Sequence, residues 1–204
     1  MSPRTKNRLV LLAIISPFVL FFLAGHFLVD PWSLPRVNKG QLIIPHIPLA
    51  DLKVSDAQGA PYDGNDTAGK WTLMYIAGSG CESACKNGLY YQMRQVQQAL
   101  GEDARRLRRL IVLTAPPADS LRHFLDDKVT GMVEVHGELA VLKGVLAEVY
   151  QPNPSAPVGD IFLVSPDGQI FMRYPTHEDM DATLEEAENI RVDLKRTLKG
   201  SLIG

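Results

Sequence analysis

The sequence predicts an α/β domain, a central mixed sheet with helices on both faces, carried behind one N-terminal transmembrane helix. Three features predict it. Residues 9–29 form an uncharged apolar run; strand-like apolar runs alternate with helix-period segments from Leu52 onward; and Asp167-Gly168 joins two more strand-like runs near the end. The chain has 204 residues, 46% hydrophobic and 22% charged, which suits one ordinary domain plus an appendage. A formal net charge of −2 leaves no electrostatic footprint for nucleic acid. The basic cluster Arg105, Arg106, Arg108 and Arg109 follows Glu102 and Asp103 and reads as a solvated helix end.

Residues 1–8 hold Arg4, Lys6 and Arg8, so the positive-inside rule keeps this end in the cytoplasm. Residues 9–29 are long enough for a ~30 Å hydrocarbon core, with Pro17 as a kink, and Asp30 and Trp32 suit the far interface. The run outlasts a usual signal-peptide core and has no clear small-residue cleavage site after it, so an anchor is expected. The remainder is then periplasmic, on an inner (cytoplasmic) membrane crossed once. Residues 30–50, with Pro31, Pro35, Pro45 and Pro48, read as an extended linker, and residues 51–204 as the domain.

Within the domain, Leu52–Val54 and Asp56–Gly59 predict a short strand and turn. The bulky run Trp71–Ala77 predicts a buried strand, broken by Gly78-Ser79-Gly80. Leu89, Met93, Val96 and Leu100 recur at helical spacing, predicting a helix from about Ser83 to Leu100. Arg109–Thr114 reads as a strand, and Asp119 as the cap of a helix bearing Leu121, Phe124 and Leu125. Glu138–Tyr150 reads as a helix, Asp160–Val164 and Gln169–Tyr174 as a hairpin across Asp167-Gly168, and Thr176 opens a last helix ended by Gly200. This is the element order of the thioredoxin fold.

The chemistry-bearing constellation is Cys81-Glu82-Ser83-Ala84-Cys85, directly after the first long strand and at the start of a helix. Unpaired amides at a helix N-terminus favour a thiolate, the form that attacks disulfides and binds metals, and Lys86 pushes the same way. Residues four apart on a helix hold their Cβ atoms ~5–6 Å apart, whereas a disulfide wants ~3.5–4.5 Å. The pair closes only if Cys81 lies in the loop, as the glycines permit. Left open, two thiolates can clamp a soft ion such as Cu(I). Disulfide, redox couple and metal site therefore all stay open.

Here the sequence resembles the Sco/SenC family of copper-binding, thioredoxin-like assembly factors for cytochrome c oxidase. The resemblance covers roughly residues 50–200. It rests on Gly69-Lys70-Trp71-Thr72-Leu73-Met74-Tyr75, on Cys81 and Cys85, and on Phe162-Leu163-Val164-Ser165-Pro166-Asp167-Gly168. It implies that Cys81 and Cys85 are catalytic thiols or copper ligands, with copper as the cofactor and a respiratory oxidase subunit or another assembly factor as the partner. The chain departs from the family at Glu82 and Lys86, where prolines are usual, and at Pro157, which stands at the place of the distal histidine. His46, His123, His136 and His177 read as surface or capping residues, Met74 and Met172 as core, and Asp160 as a polar residue at a strand start.

The leading expectation is a Sco-like accessory protein that handles Cu(I) or keeps partner thiols reduced, with Cys81, in the loop, as the exposed attacking thiol and Cys85 resolving. A general thiol–disulfide oxidoreductase without metal and a non-catalytic scaffold for a membrane partner are the alternatives.

Overall fold

The structure is a computed structural model that describes residues 3–28, 37–67, 69–151 and 157–201. It contains two compact units, Met1–Val37 and Asn38–Gly204. The first holds helix α1 (Pro3–Leu28), with Pro17 inside it and exposed side chains that include Leu12, Phe18, Phe21 and Phe22. Among the described residues no helix is long and apolar enough to cross a membrane. Asp30, Trp32 and residues 30–36 of the predicted linker lie outside the described residues, as does the side chain of His26.

The second unit is built on a six-stranded mixed sheet. Its strands are β1 (Gln41–Pro48), β2 (Trp71–Ala77), β3 (Leu107–Leu113), β4 (Val133–His136), β5 (Ile161–Val164) and β6 (Gln169–Tyr174). They lie in the order β1-β6-β5-β2-β3-β4. β2, β3 and β4 run parallel; β5 is antiparallel to β2, β6 to β5, and β1 to β6. The central strand β2 is buried along its whole length, which accounts for its uninterrupted apolar sequence.

The linker expected at residues 30–50 is corrected by β1. Gln41 pairs with Arg173 and Pro48 with Gln169, with a register shift between Leu42 and Ile47 around the cis Ile44–Pro45 peptide. Proline is tolerated there because β1 is an edge strand, where a missing amide costs no ladder bond. Leu49–Leu52 then forms a 3-10 turn with Leu49 and Leu52 in the core. The turn predicted at Asp56–Gly59 is present, closed by the Gly59 amide on the Asp56 carbonyl.

The helices cover both faces. α2 runs in three parts, α-helical over Ser83–Asn87, π-helical over Gly88–Gln95 and α-helical over Val96–Ala99. α3 is Asp119–Lys128, α4 is Leu139–Val145 and α5 is Met180–Gly200. On one face Leu89, Met93, Leu121, Leu125, Ile190 and Leu194 pack on Leu73, Tyr75, Ile111 and Leu163. On the other, Leu142, Leu146 and Val149 pack on Met74, Ile76, Val112 and Phe162. The alternation of Leu73 and Tyr75 against Met74 and Ile76 is the two-residue pleat of a strand buried on both sides.

Several local expectations change. Asp119 is the first residue of α3 rather than its cap, and α5 is capped by Asp179, which accepts from the Ala182 amide, rather than by Thr176. The arginine cluster is a solvated helix end only at Arg105, which is exposed. Arg109 is buried and donates to Gln97 and to the Val129 and Thr130 carbonyls, and Arg106 donates to Asp103 and to the Leu198 and Ser201 carbonyls.

Three buried tyrosines make stability sensitive to alkali. Tyr75, Tyr150 and Tyr174 are each pushed above the ordinary phenol value of 10.0, first by burial and then by the nearby Asp160 or Asp193 carboxylate. The folded state thus keeps phenol protons that the unfolded chain releases above pH 10. Stability is unaffected below that pH and falls above it, by up to roughly 4 kcal/mol per pH unit for the three groups together. Urea unfolding at pH 8 and pH 11 checks this; equal midpoints would contradict it.

Candidate functional site

Strand β2 ends at Ala77, whose carbonyl accepts from both the amide and the hydroxyl of Thr114, at 3.0 and 2.9 Å. Gly78-Ser79-Gly80 leaves the sheet, and the Ser79 carbonyl accepts from the Ala118 amide at 2.7 Å. The loop is thereby fastened to the connection between β3 and α3. Cys81 follows in the loop, Glu82 precedes the first turn of α2, and Cys85 lies inside that turn. Cys81 and Cys85 form a disulfide with their Cα atoms 5.1 Å apart. Closure with the first cysteine outside the helix is the arrangement the spacing requires.

Exposure within the pair runs opposite to the sequence expectation. Cys81 is only 5% exposed and belongs to the core cluster on this face of the sheet, whereas Cys85 is partly exposed at the edge of that cluster. The loop folds back onto the end of β2 and carries Cys81 inward, while the first turn of α2 faces out.

Opposite the loop lies the segment Pro157–Asp160. Pro157 is buried, and the Gly159 amide donates to the Ile76 carbonyl at 2.9 Å. A Cβ on Gly78 would come within 3.7 Å of Val158. Gly159 has φ +96°, which suits glycine. The Asp160 carboxylate is held by protein groups. It accepts from the Tyr150 hydroxyl and from Arg173 Nε at 2.7 Å, and the Arg173 guanidinium stacks 4.6 Å above the Tyr150 ring.

The remaining candidates stay apart from the cysteines in their contacts. His46 stacks near Phe171, His123 is exposed on α3, and His136 closes β4 by pairing with Ser55. The His177 carbonyl accepts from Asn87 and Thr183. Met74 and Met172 are core residues. Among the described residues no three His, Cys, Asp or Glu side chains gather as a metal site would need. The cysteines therefore supply two soft donors, and the described residues add no third. An open cleft of about 460 Å³ lies at the ends of β3 and β4, lined by Lys53, Ser55, Thr114, Pro117, His136 and Glu138.

Two buried polar residues of α2 and a threonine make contacts that the sequence pattern does not announce. Asn87 and Gln92 are buried in α2, and Thr176 donates to the Gly159 carbonyl. The available signal was Gln92 sitting within the apolar stripe of Leu89, Met93 and Val96.

Comparison with known proteins supports the fold. A family model described as "Transmembrane-like, thioredoxin-like, C-terminal domain" matches residues 71–201. No curated protein matches the sequence. Among solved structures, yeast Sco1 is similar at 16% identity and TM-score 0.50, covering 82% of this chain and 99% of its own. A SCO1/SenC family lipoprotein from Bacillus anthracis is 13% identical, TM-score 0.49, with coverages of 80% and 97%. The thioredoxin domain of a Bacteroides vulgatus thiol-disulfide oxidoreductase is 20% identical, TM-score 0.45, with coverages of 75% and 97%. At these identities the likeness to yeast Sco1 shows a shared fold.

Proposed function

We propose that this chain, which belongs to the family of transmembrane-like, thioredoxin-like C-terminal domains, is a membrane-anchored thiol–disulfide exchange protein working through Cys81 and Cys85. The observation that carries the reading is the disulfide itself, closed between a loop and the first turn of a helix at the end of the central strand, with Cys85 partly exposed. A bridge across so few residues gains little from loop closure, so a purely stabilising role is a poor account of it.

In the oxidising direction a partner thiolate attacks Cys85 Sγ. The Cys81–Cys85 bond breaks, and Cys81 leaves as the thiolate. The partner's second thiolate then attacks the partner sulfur of the mixed disulfide, and Cys85 leaves. The partner loses two electrons and two protons, and the pair gains them. Run in reverse, the Cys85 thiolate attacks a partner disulfide and Cys81 resolves the adduct.

The anchor reading is supported by the uncharged run 9–29 behind Arg4, Lys6 and Arg8, of which residues 9–28 lie in helix α1. It puts the thiol domain on the extracytoplasmic side, where disulfides persist. The partner most in keeping with the resemblance at residues 69–75 and 162–168 is a cysteine pair of a respiratory oxidase subunit or of another assembly factor.

A second reading has the reduced pair carry Cu(I) as cargo. It is favoured by the 5.1 Å Cα separation, which lets both thiolates reach one soft ion. The two readings separate in one experiment on the reduced full-length chain in detergent. Turnover of a peptide disulfide with dithiothreitol as electron source, abolished in Cys81→Ser/Cys85→Ser, is expected of exchange. Anaerobic competition of one Cu(I) from a chromophoric chelator, without turnover, would instead select the cargo reading.

A further inference from the structure

We infer that Thr176 is a positioning residue that favours the closed Cys81–Cys85 pair by tying the loop at Gly159 to the helix that carries Cys85. The inference rests on the exchange reading above.

Cys85, Gly88 and Gln92 follow one another at three- and four-residue steps, so they share one face of α2. Segment 175–178 lies against that face. The Pro175 carbonyl accepts from Gln92 Nε2 at 2.9 Å, and the His177 and Glu178 carbonyls accept from Asn87 Nδ2 at 3.1 and 3.0 Å. Thr176 sits against Gly88, where a Cβ would stand 2.5 Å from Thr176 Cγ2. The π-helical stretch of α2 begins at this same glycine. From the other side of Thr176, its hydroxyl donates to the Gly159 carbonyl, and the Gly159 amide donates to the Ile76 carbonyl in β2. Beyond Ile76 the chain runs through Gly78, which abuts Val158, to Cys81.

A ring of contacts is thus closed through the disulfide. One arm reaches Cys81 from Gly159 by way of β2, and the other reaches Cys85 from Gly88 by way of α2. Thr176 joins them, its hydroxyl on one arm and its methyl on the other. Reduction pushes two sulfurs from bonding distance to non-bonded contact, which moves the Cys81 loop and the Cys85 helix apart. A ring that resists this movement biases the pair toward the disulfide, and a loosened ring shifts the equilibrium toward the dithiol.

The test is redox equilibration of the full-length chain in detergent against glutathione buffers, with the disulfide fraction read by thiol alkylation and mass. Thr176→Val keeps the shape and removes the hydroxyl. It is expected to lower the equilibrium constant for the disulfide roughly two- to tenfold, the range of one net hydrogen bond, tenfold being about 30 mV. Thr176→Ser keeps the hydroxyl and should stay near the parent. Gly88→Ala should shift the constant the same way as Thr176→Val by pushing the threonine aside. Gly88→Ala/Thr176→Ser should return toward the parent, because the obstructing methyl is gone. Thermal unfolding of each oxidised variant shows whether it folds; if Thr176→Val does not, Gly88→Ala and its double carry the decision. A parent pair that exchanges, together with unchanged constants in Thr176→Val and Gly88→Ala, would overturn the role of Thr176 and leave exchange standing. A parent pair inert in every buffer would overturn exchange itself, and this inference with it.

Discussion

Cys81→Ser is expected to trap a partner disulfide as a stable mixed disulfide on Cys85, and Cys85→Ser to trap little. The physical ground is access. Cys85 is partly exposed in the first turn of α2, where unpaired amides favour a thiolate, whereas Cys81 is 5% exposed and belongs to the buried core cluster. With Cys81 replaced, nothing resolves the adduct on Cys85 and it accumulates. With Cys85 replaced, the remaining thiol is shielded and the adduct does not form at a useful rate. Non-reducing gels of the two variants challenged with a peptide disulfide decide it. Adduct with Cys85→Ser alone would restore the order that the loop position of Cys81 suggests from sequence.

Among single substitutions, the largest stability effect is expected at Asp193. Its carboxylate is 2% exposed and accepts from the Lys39 amide at 2.8 Å, the Gly40 amide at 2.8 Å and the Tyr174 hydroxyl at 3.1 Å. It therefore fastens the chain entering β1 to α5. A Cβ on Gly40 would run into the Tyr174 ring, so this approach admits no bulkier residue. Asp193→Ala leaves the buried Gly40 amide and Tyr174 hydroxyl and the part-buried Lys39 amide without their acceptor, at a cost of about 3 kcal/mol. For a domain of this size that lowers Tm by about 6–12 °C. Asp193→Asn keeps one acceptor oxygen and should lose less. A Tm for Asp193→Ala equal to that of the parent would show that the entry to β1 is held by something else.

The parts of this fold that could be read from sequence are those where burial writes a long signal. Trp71–Ala77 and Ile161–Val164 are apolar because both of their faces are covered, Gln169–Tyr174 alternates beyond the Asp167-Gly168 turn, and the helix after the cysteines shows its stripe clearly. β1 was hidden because its prolines read as linker, although an edge strand accepts them. β4 was hidden by its shortness, since Val133–His136 is too brief for a period to register. The position of Cys81 outside the helix followed from geometry alone, but its burial did not, because local spacing carries no record of how a loop folds back. Thr176 shows the same limit. From sequence it is a plausible cap for the last helix. In the fold that task falls to Asp179, and Thr176 reaches Gly159, seventeen residues away along the chain. Pro157 stands where the resemblance would place a histidine, and among the described residues no cluster of three His, Cys, Asp or Glu forms.

The central claim is that Cys81 and Cys85 form an exchangeable pair. The most direct measurement is the midpoint potential of the full-length chain in detergent, equilibrated against glutathione and dithiothreitol buffers and approached from both the oxidised and the reduced state. An exchangeable pair shows a reversible two-electron transition between about −300 and −120 mV, the range spanned by known exchangers. A pair that stays oxidised well below about −300 mV is a structural staple, and that result would contradict the account.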